Sequence, residues 1–260
     1  MGKPFWRKQR GDEPIVAMAI HDGHEVRDEV GALLALSDAD RLREEDPFTG
    51  EWAGAFGTHV VVSRSRFEVD LNRPRKSAVY RRPEDAWGLD VWRREPPDEI
   101  IARSLGQYDA FYRAMRRLMG SMVKRFGRFV VLDLHSYNHR RTGPDGPPSD
   151  EADNPQVNVG TGSLDRGRWA PVVDRFMSHM QSWPFPGGKL DVRENVKFRG
   201  GQLSRWVHQR FPESACCLAV EFKKFFMDEW TGQPNRALVD MIGEALLAAS
   251  PGLVEELRRL

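Results

Sequence analysis

Three histidines stand directly after, or close to, the ends of short apolar runs: His21 and His24 in His21-Asp22-Gly23-His24, and His135 in Asp133-Leu134-His135-Ser136. Imidazole is a common zinc ligand, and a catalytic zinc usually takes three protein ligands plus water. Histidines delivered at two buried strand ends therefore point to a metal site between the strands. Asp133, two residues before His135, either hydrogen-bonds a ligating histidine or faces the opposite layer. Glu221 lies inside the apolar run 218–222. A carboxylate there is costly to bury unless it is paired or used. It reads either as a general base with a raised pKa or as an ion-pair partner of Lys223, Lys224 or an arginine. Arg73, in Asp70-Leu71-Asn72-Arg73-Pro74-Arg75, offers a planar fork that suits a carboxylate. Lys197-Phe198-Arg199-Gly200-Gly201, placed before a helical stretch, offers backbone N–H groups and cations to an anion, and the turn Gly160-Thr161-Gly162 is a weaker signal of the same kind. No phosphate-binding loop, dinucleotide fingerprint or Gly-x-Ser-x-Gly elbow is present.

The elements that must carry these residues follow from the apolar pattern. Residues 14–20 and 129–134 are short, β-branched runs with polar tips, as buried strands are. Open α/β sheets do their chemistry just past the carboxyl ends of such strands. Further strands are expected at 58–63, 65–71, 156–159, 190–193 and 216–222. Helices are expected at 25–36, in a short piece capped at 37–40, and over 105–126, where Tyr108, Phe111, Met115, Leu118 and Met122 form one stripe. More follow after Ser163, over 202–211, and over 235–249 and 251–260. Residues 76–97 read as an irregular excursion and 139–154 as a long surface loop, which in a compact domain is more often functional than idle. Alternation of strands and helices gives an α/β class with a mixed, largely parallel sheet in a single domain over 1–260. Residues 1–13 are expected to be a loosely held lead-in.

Bulk properties narrow the function classes. Lys and Arg number 39 against 38 Asp and Glu, a net charge of +1, so nothing draws the chain as a whole to nucleic acid or to an anionic membrane. Cys216 and Cys217 are adjacent in a strand, so they face opposite ways and are expected as buried, reduced thiols. The start of the chain lacks the apolar stretch of a signal peptide, and no apolar run is long enough to span a bilayer. A cytoplasmic location is the expectation.

Taken in order, Ile20-His21-Asp22-Gly23, the stretch Ser65-Arg66-Phe67-Glu68-Val69-Asp70-Leu71-Asn72-Arg73-Pro74, Asp133-Leu134-His135-Ser136, Asn158-Val159-Gly160-Thr161, Lys197-Phe198-Arg199-Gly200-Gly201 and Val220-Glu221-Phe222 resemble the N-formylglutamate amidohydrolases, within the wider group of zinc carboxypeptidase-like hydrolases. The resemblance covers most of the chain. It implies a three-layer α/β/α exopeptidase-like fold with one zinc. His21 and His135 match the metal histidines. The third ligand stays open between His24, because the chain has His-x-x-His where the carboxypeptidase-like relatives have His-x-x-Glu, and Asp46. Glu221 matches the glutamate that activates water. Asn72 and Arg73 match the pair that holds a substrate carboxylate, with Arg66, Gly200, Gly201 and Arg205 as further substrate contacts. The implied activity is hydrolysis of the amide of an N-acyl amino acid or related carboxylate. The alternatives are a peptidase or deacylase acting on a modified peptide end, or a binding protein that keeps the fold. The implied partner is a small carboxylate or peptide end, with neither nucleic acid nor membrane.

Overall fold

The computed structural model describes residues 4–260. Seven strands form one sheet: β1 (Trp6–Gln9), β2 (Ile15–Ala19), β3 (His59–Val62), β4 (Phe129–Tyr137), β5 (Val157–Gly160), β6 (Val192–Glu194) and β7 (Ala215–Lys223), in the order β1-β3-β2-β4-β7-β5-β6. The centre, β3-β2-β4-β7, is parallel. β1 runs antiparallel to β3, and β5 antiparallel to β7. The long central strands are buried along their whole length, as expected of strands covered on both faces.

Two cores follow from the pleat. Val130, Leu132 and Leu134 point to the face covered by α3 (Thr49–Gly54), α5 (Arg166–Ser182), α7 (Arg236–Ala248) and α8 (Ser250–Arg259). Val131 and Phe129 point to the face covered by α4 (Asp98–Phe126) and α6 (Gln202–Arg210). Alternate residues of a strand serve opposite layers, which gives the three-layer α/β/α arrangement. Cys216 and Cys217 separate in the same way, one into each core, both buried and unpaired. α4 turns Phe111, Met115, Leu118, Met119 and Met122 to the sheet. Each such burial is worth roughly 1.5–3 kcal/mol of transfer free energy. Short α1 (Asp28–Gly31) and α2 (Asp38–Glu44) lie between β2 and β3.

Four stretches differ from the sequence expectation. Within the stretch read as a lead-in, residues 6–9 form β1, because they pair with β3 at the sheet edge; residues 1–3 lie outside the described residues. Residues 65–71 alternate in hydrophobicity but form turns, not a strand: Glu68 N–H donates to Ser65 C=O, and Phe67 packs in a satellite cluster with Tyr80 while Val69 and Leu71 join the α4 core. Residues 49–54 form α3, a helix not among those expected, whose Trp52 sits in the core. Only residues 28–31 of the expected 25–36 helix are helical. The segment Arg236–Arg259 is long and apolar enough for a membrane span by length and composition. Yet Ile242, Leu246, Leu253 and Leu257 of its two helices are core residues, and Pro251 stands at their junction.

Candidate metal and active site

β4 and β7 place the first two groups. Their parallel register sets His135 beside Glu221 and Asp133 beside Ala219. Asp133 and His135 are two apart, so both face the α4 layer, and Asp133 Oδ1 lies 2.9 Å from His135 Nε2. This strand end therefore gives the sheet face a buried acid, a histidine and a glutamate in one patch.

β2 brings His21 to the same patch, with ring centroids of His21 and His135 5.0 Å apart. Asp46 comes from the turn between α2 and α3, where its N–H donates to the His21 carbonyl and its own carbonyl accepts from the Thr49 hydroxyl. Its carboxylate lies 2.9 Å from His135 Nδ1 and 3.4 Å from His21 Nδ1. Donor atoms of His21, Asp46 and His135 lie within 4.8 Å of one another, and all three residues are buried. Each histidine gives its Nε2 to a different carboxylate, His21 to Asp70 at 2.8 Å and His135 to Asp133. Donation from Nε2 leaves the Nδ1 lone pair aimed at Asp46, the tautomer a metal ligand needs. His21 Nδ1 is buried with no hydrogen-bond partner among the described residues. Two imidazole nitrogens and one carboxylate oxygen converging around an unsatisfied nitrogen fit a divalent metal.

His24 is not in this group. The chain bends at Ile20 and His21 just after β2, and His24 lies beyond that bend with partners of its own. His24 Nδ1 meets Glu45 at 2.6 Å and its Nε2 meets Arg41 at 3.0 Å. Between the two histidines, Asp22 accepts from the Gly50 N–H in the first turn of α3. Gly23 sits so close to β3 that a Cβ would come within 2.2 Å of Ser63. The His-x-x-His spacing thus straddles a turn that locks against two neighbours.

Asp70 is the hub of the second wall. It accepts from His21, from Arg66 at 3.1 Å, from the Tyr80 hydroxyl and from the Asn72 N–H at 2.7 Å. Arg66 lines the cavity, but each of its three nitrogens donates to protein: to Asp70, Tyr80 and the Glu44 carbonyl. Three of its five N–H groups are thereby spent on bracing the site. Two tyrosines of α4 hold the next turn, Tyr112 donating to the Leu71 carbonyl and Tyr108 to that of Arg73. Arg73 is one-third exposed, with Nη2 on the Asp85 carbonyl and Nε 3.8 Å from Asp70.

The glycine pair before α6 serves Asn72. The first N–H groups of that helix go to Asn72: Gln202 donates to its carbonyl and Leu203 to its Oδ1, each at 3.0 Å. A Cβ on Gly201 would meet the Asn72 amide at 2.2 Å, and Gly200 has φ +99°, where side chains are strained. An amide side chain therefore fills the helix N-terminus read from sequence as an anion site. Gly160 is likewise a packing glycine, since a Cβ would lie 2.6 Å from the Gly200 nitrogen. Asn72 Nδ2 lies 3.4 Å from His135. Arg205 is exposed, donates to the Gly200 carbonyl and does not line the cavity; Arg199 lines it instead.

The cavity above these groups has a volume of about 200 Å³. Burial would raise the Asp46 carboxyl, but His135 and His21 beside it hold it well below the usual range. Asp70 is likewise held down against burial by the Arg66 charge and by His21. Burial works against charge on His135, yet Asp133 and Glu221 push its pKa well up. The surrounding acids thus call for positive charge at this spot. Glu221 is pushed up to about 7 by burial, with His135 pulling it down and Asp46 and Asp133 raising it. Neither Lys223 nor Lys224 pairs with it: Lys223 Nζ donates to the Asn154 carbonyl, and Lys224 Nζ to those of Arg43 and Glu45. Sequence reasoning missed Lys224, Glu44 and Arg141 as cavity residues. The run Glu44-Glu45-Asp46 carried a signal, because three consecutive acids are all buried here.

The profile of the N-formylglutamate amidohydrolase family matches residues 13–226. The chain belongs to that family. Its reaction class is accordingly hydrolysis of a C–N bond. The fold is similar to that of an N-formylglutamate amidohydrolase from Ralstonia eutropha JMP134, at a TM-score of 0.74 and 18% identity over 99% of each chain. It is also similar to a gene product of Agrobacterium tumefaciens, at a TM-score of 0.60 and 18% identity over 91% of this chain and 90% of that one. No curated protein matches. Within the N-formylglutamate amidohydrolase profile fall all four of His21, Asp46, His135 and Glu221.

Proposed function

We propose that this cavity is the active site of a zinc-dependent amidohydrolase acting on a small N-acyl amino acid, such as an N-formyl amino acid. The observation that carries the reading is the convergence of His21, Asp46 and His135 about a buried nitrogen that has no partner among the described residues. These three would hold zinc, which when bound polarises a carbonyl and lowers the pKa of water. Glu221 stands beside His135 and takes the proton from the attacking water, then gives it to the leaving amine. A carboxyl poised near neutrality can do both. Arg73, with one face open to the cavity, binds the substrate carboxylate, and Asn72 orients it from the α6 N-terminus. Asp70 and Asp133 hold the two histidine rings in their working tautomer. A cavity of about 200 Å³ favours a free amino-acid derivative over a peptide end.

The test is a panel of N-formyl, N-acetyl and longer N-acyl amino acids, each beside its carboxamide, with elemental analysis of the protein. The reading requires stoichiometric zinc and turnover of at least one acid over its carboxamide. Protein that binds zinc yet cleaves carboxamide and acid alike refutes the Arg73 assignment, and protein with no metal at saturating zinc refutes the site.

A further inference from the structure

Lys224 stands just past the end of β7 and lines the cavity that His21, Asp46, His135 and Glu221 also line. It is 1% exposed. No carboxylate lies within 4.0 Å of its ammonium among the described residues. Its Nζ has two acceptors, the carbonyls of Arg43 at 2.5 Å and Glu45 at 2.8 Å. An ammonium carries three N–H groups, so one has no acceptor among the described residues. A buried cation without an ion pair costs several kcal/mol unless something in the working state compensates it. Two backbone carbonyls could be held by a neutral donor of similar length; the charge is met in the resting site only at longer range, by Asp46, Glu44 and Glu229. Arg66, a half-buried cation of the same cavity, spends three of its five N–H groups on Asp70, Tyr80 and the Glu44 carbonyl.

We propose that Lys224 is a catalytic residue whose third N–H donates to the carbonyl oxygen of the scissile amide and stabilises the negative charge that gathers there. The inference rests on the amidohydrolase reading above. As the water oxygen bonds to the carbonyl carbon, the C=O π pair moves onto oxygen and the water proton passes to Glu221. Lys224 holds that oxygen by hydrogen bond and charge; no bond to lysine forms or breaks. When the π bond re-forms, the C–N bond breaks and the amine leaves with the proton from Glu221. A donor aimed at charge that develops only in the transition state lowers the barrier without tightening ground-state binding.

The experiment compares wild type, K224M and K224R, all zinc-loaded, for kcat and KM on N-formyl-L-glutamate or whichever panel member is turned over, for zinc content and Tm, and for binding of a phosphonamidate analogue of that substrate. Removing one such donor costs about 10²–10³-fold in kcat. K224M should show that loss with KM within about threefold and zinc unchanged, and should bind the phosphonamidate about 10²-fold more weakly. K224R, which keeps the charge, should recover at least part of both. The inference is overturned if K224M keeps kcat per bound zinc near wild type. It is equally overturned if activity falls only in step with lost zinc, since Lys224 would then merely brace the turn that carries Asp46. Where K224M does not fold, K224Q keeps a shorter donor: a fall of at least about tenfold in kcat supports the role, and turnover per zinc near wild type rejects it. If wild type hydrolyses no N-acyl amino acid, the amidohydrolase reading fails. Affinity for the phosphonamidate analogue of N-formyl-L-glutamate then decides Lys224 alone, an unchanged Kd in K224M rejecting it.

Discussion

His135 and Glu221 are delivered by two long parallel strands, whereas Asp46, Asp70 and Asn72 are delivered by turns between residues 44 and 75. On the strand side the backbone ladder fixes everything: β4 and β7 pair over nine residues, from Phe129 with Ala215 to Tyr137 with Lys223. On the turn side there is no ladder, and buried ionic groups take its place. Asp70 alone gathers His21, Arg66, Tyr80 and the Asn72 N–H, while two α4 tyrosines hold the carbonyls of Leu71 and Arg73. One half of the site is thus held by backbone hydrogen bonds inside an apolar sandwich, the other by charges that need each other. The two halves should fail differently.

The turn side should break hardest. Asp70→Asn removes the buried charge that compensates half-buried Arg66 and the acceptor that orients His21. Removing one partner of a buried ion pair costs about 3–5 kcal/mol. Losing the carboxylate behind a metal histidine also weakens metal binding about 10- to 100-fold. Urea denaturation and zinc titration of the variant measure both. Wild-type stability in Asp70→Asn would show that the hub is not what holds these turns.

Next in size is the link between the halves. His208 of α6 accepts the Cys217 N–H of β7 at Nε2 and donates from Nδ1 to Ser163. The helix that holds Asn72 is thereby tied to the strand that carries Glu221. Burial pushes the His208 pKa down to about 4, from an ordinary value near 6.5. The depressed value means that the folded state holds the neutral ring. Between pH 6.5 and 4 the unfolded chain takes up a proton that the folded chain refuses. Stability from this residue is therefore complete above pH 6.5 and falls as the pH drops toward 4, by at most about 3 kcal/mol. Urea midpoints at pH 7, 5.5 and 4 should fall less steeply in His208→Gln than in wild type; parallel slopes would remove His208 from the acid response.

The strand side breaks in function rather than in fold. Glu221→Gln keeps the shape of a side chain that pairs with no cation among the described residues, so Tm and zinc content should stay near wild type. Turnover should drop about 10²-fold or more, equivalent to about 2.7 kcal/mol or more, because the amide cannot take the proton. A folded, zinc-loaded variant with near-wild-type turnover would take Glu221 out of the mechanism.

The same division decides what was legible in the sequence. Strand-borne groups could be placed from residue types alone, because an apolar run with a polar tip has one stable burial. The α4 stripe was legible for the same reason, although its start at Asp98, after Pro97, was set by chain geometry that periodicity over 105–126 does not report. Turn-borne groups such as Asn72, Arg73 and Asp46 were legible as residues, but the turns that carry them were not. The alternation of Phe67, Val69 and Leu71 imitates a strand, while the side chains enter two different clusters from a turn. The six-residue α3 has too few residues for a periodic signal, and it is fixed from outside by Asp22 on the Gly50 N–H. The glycine pair at 200–201 was visible as a backbone feature, but its partner is an amide 129 positions earlier in the chain, and only tertiary contact reveals that.

His24 gives the smallest effect and the sharpest contrast. In sequence it stands beside His21 with the spacing of a ligand pair, and Asp46 stands far off. In the fold the positions reverse. Asp46 lies 2.9 Å from His135, whereas His24 is more than one-third exposed and bound to Glu45 and Arg41. His24→Gln keeps a polar side chain of similar reach that can still donate to the buried Glu45 carboxylate, which also accepts from the Ser65 hydroxyl. The variant should therefore keep full zinc and turnover, with Tm lowered by no more than a few degrees. Asp46→Asn, which keeps size but removes the anionic donor, should lose most of its zinc at the same free metal concentration. Measured side by side by competition with a chelating dye, the two variants give opposite answers if the third ligand comes from the turn. Zinc loss in His24→Gln with retention in Asp46→Asn would return the ligand to the histidine pair and would require the loop after β2 to rearrange when metal binds.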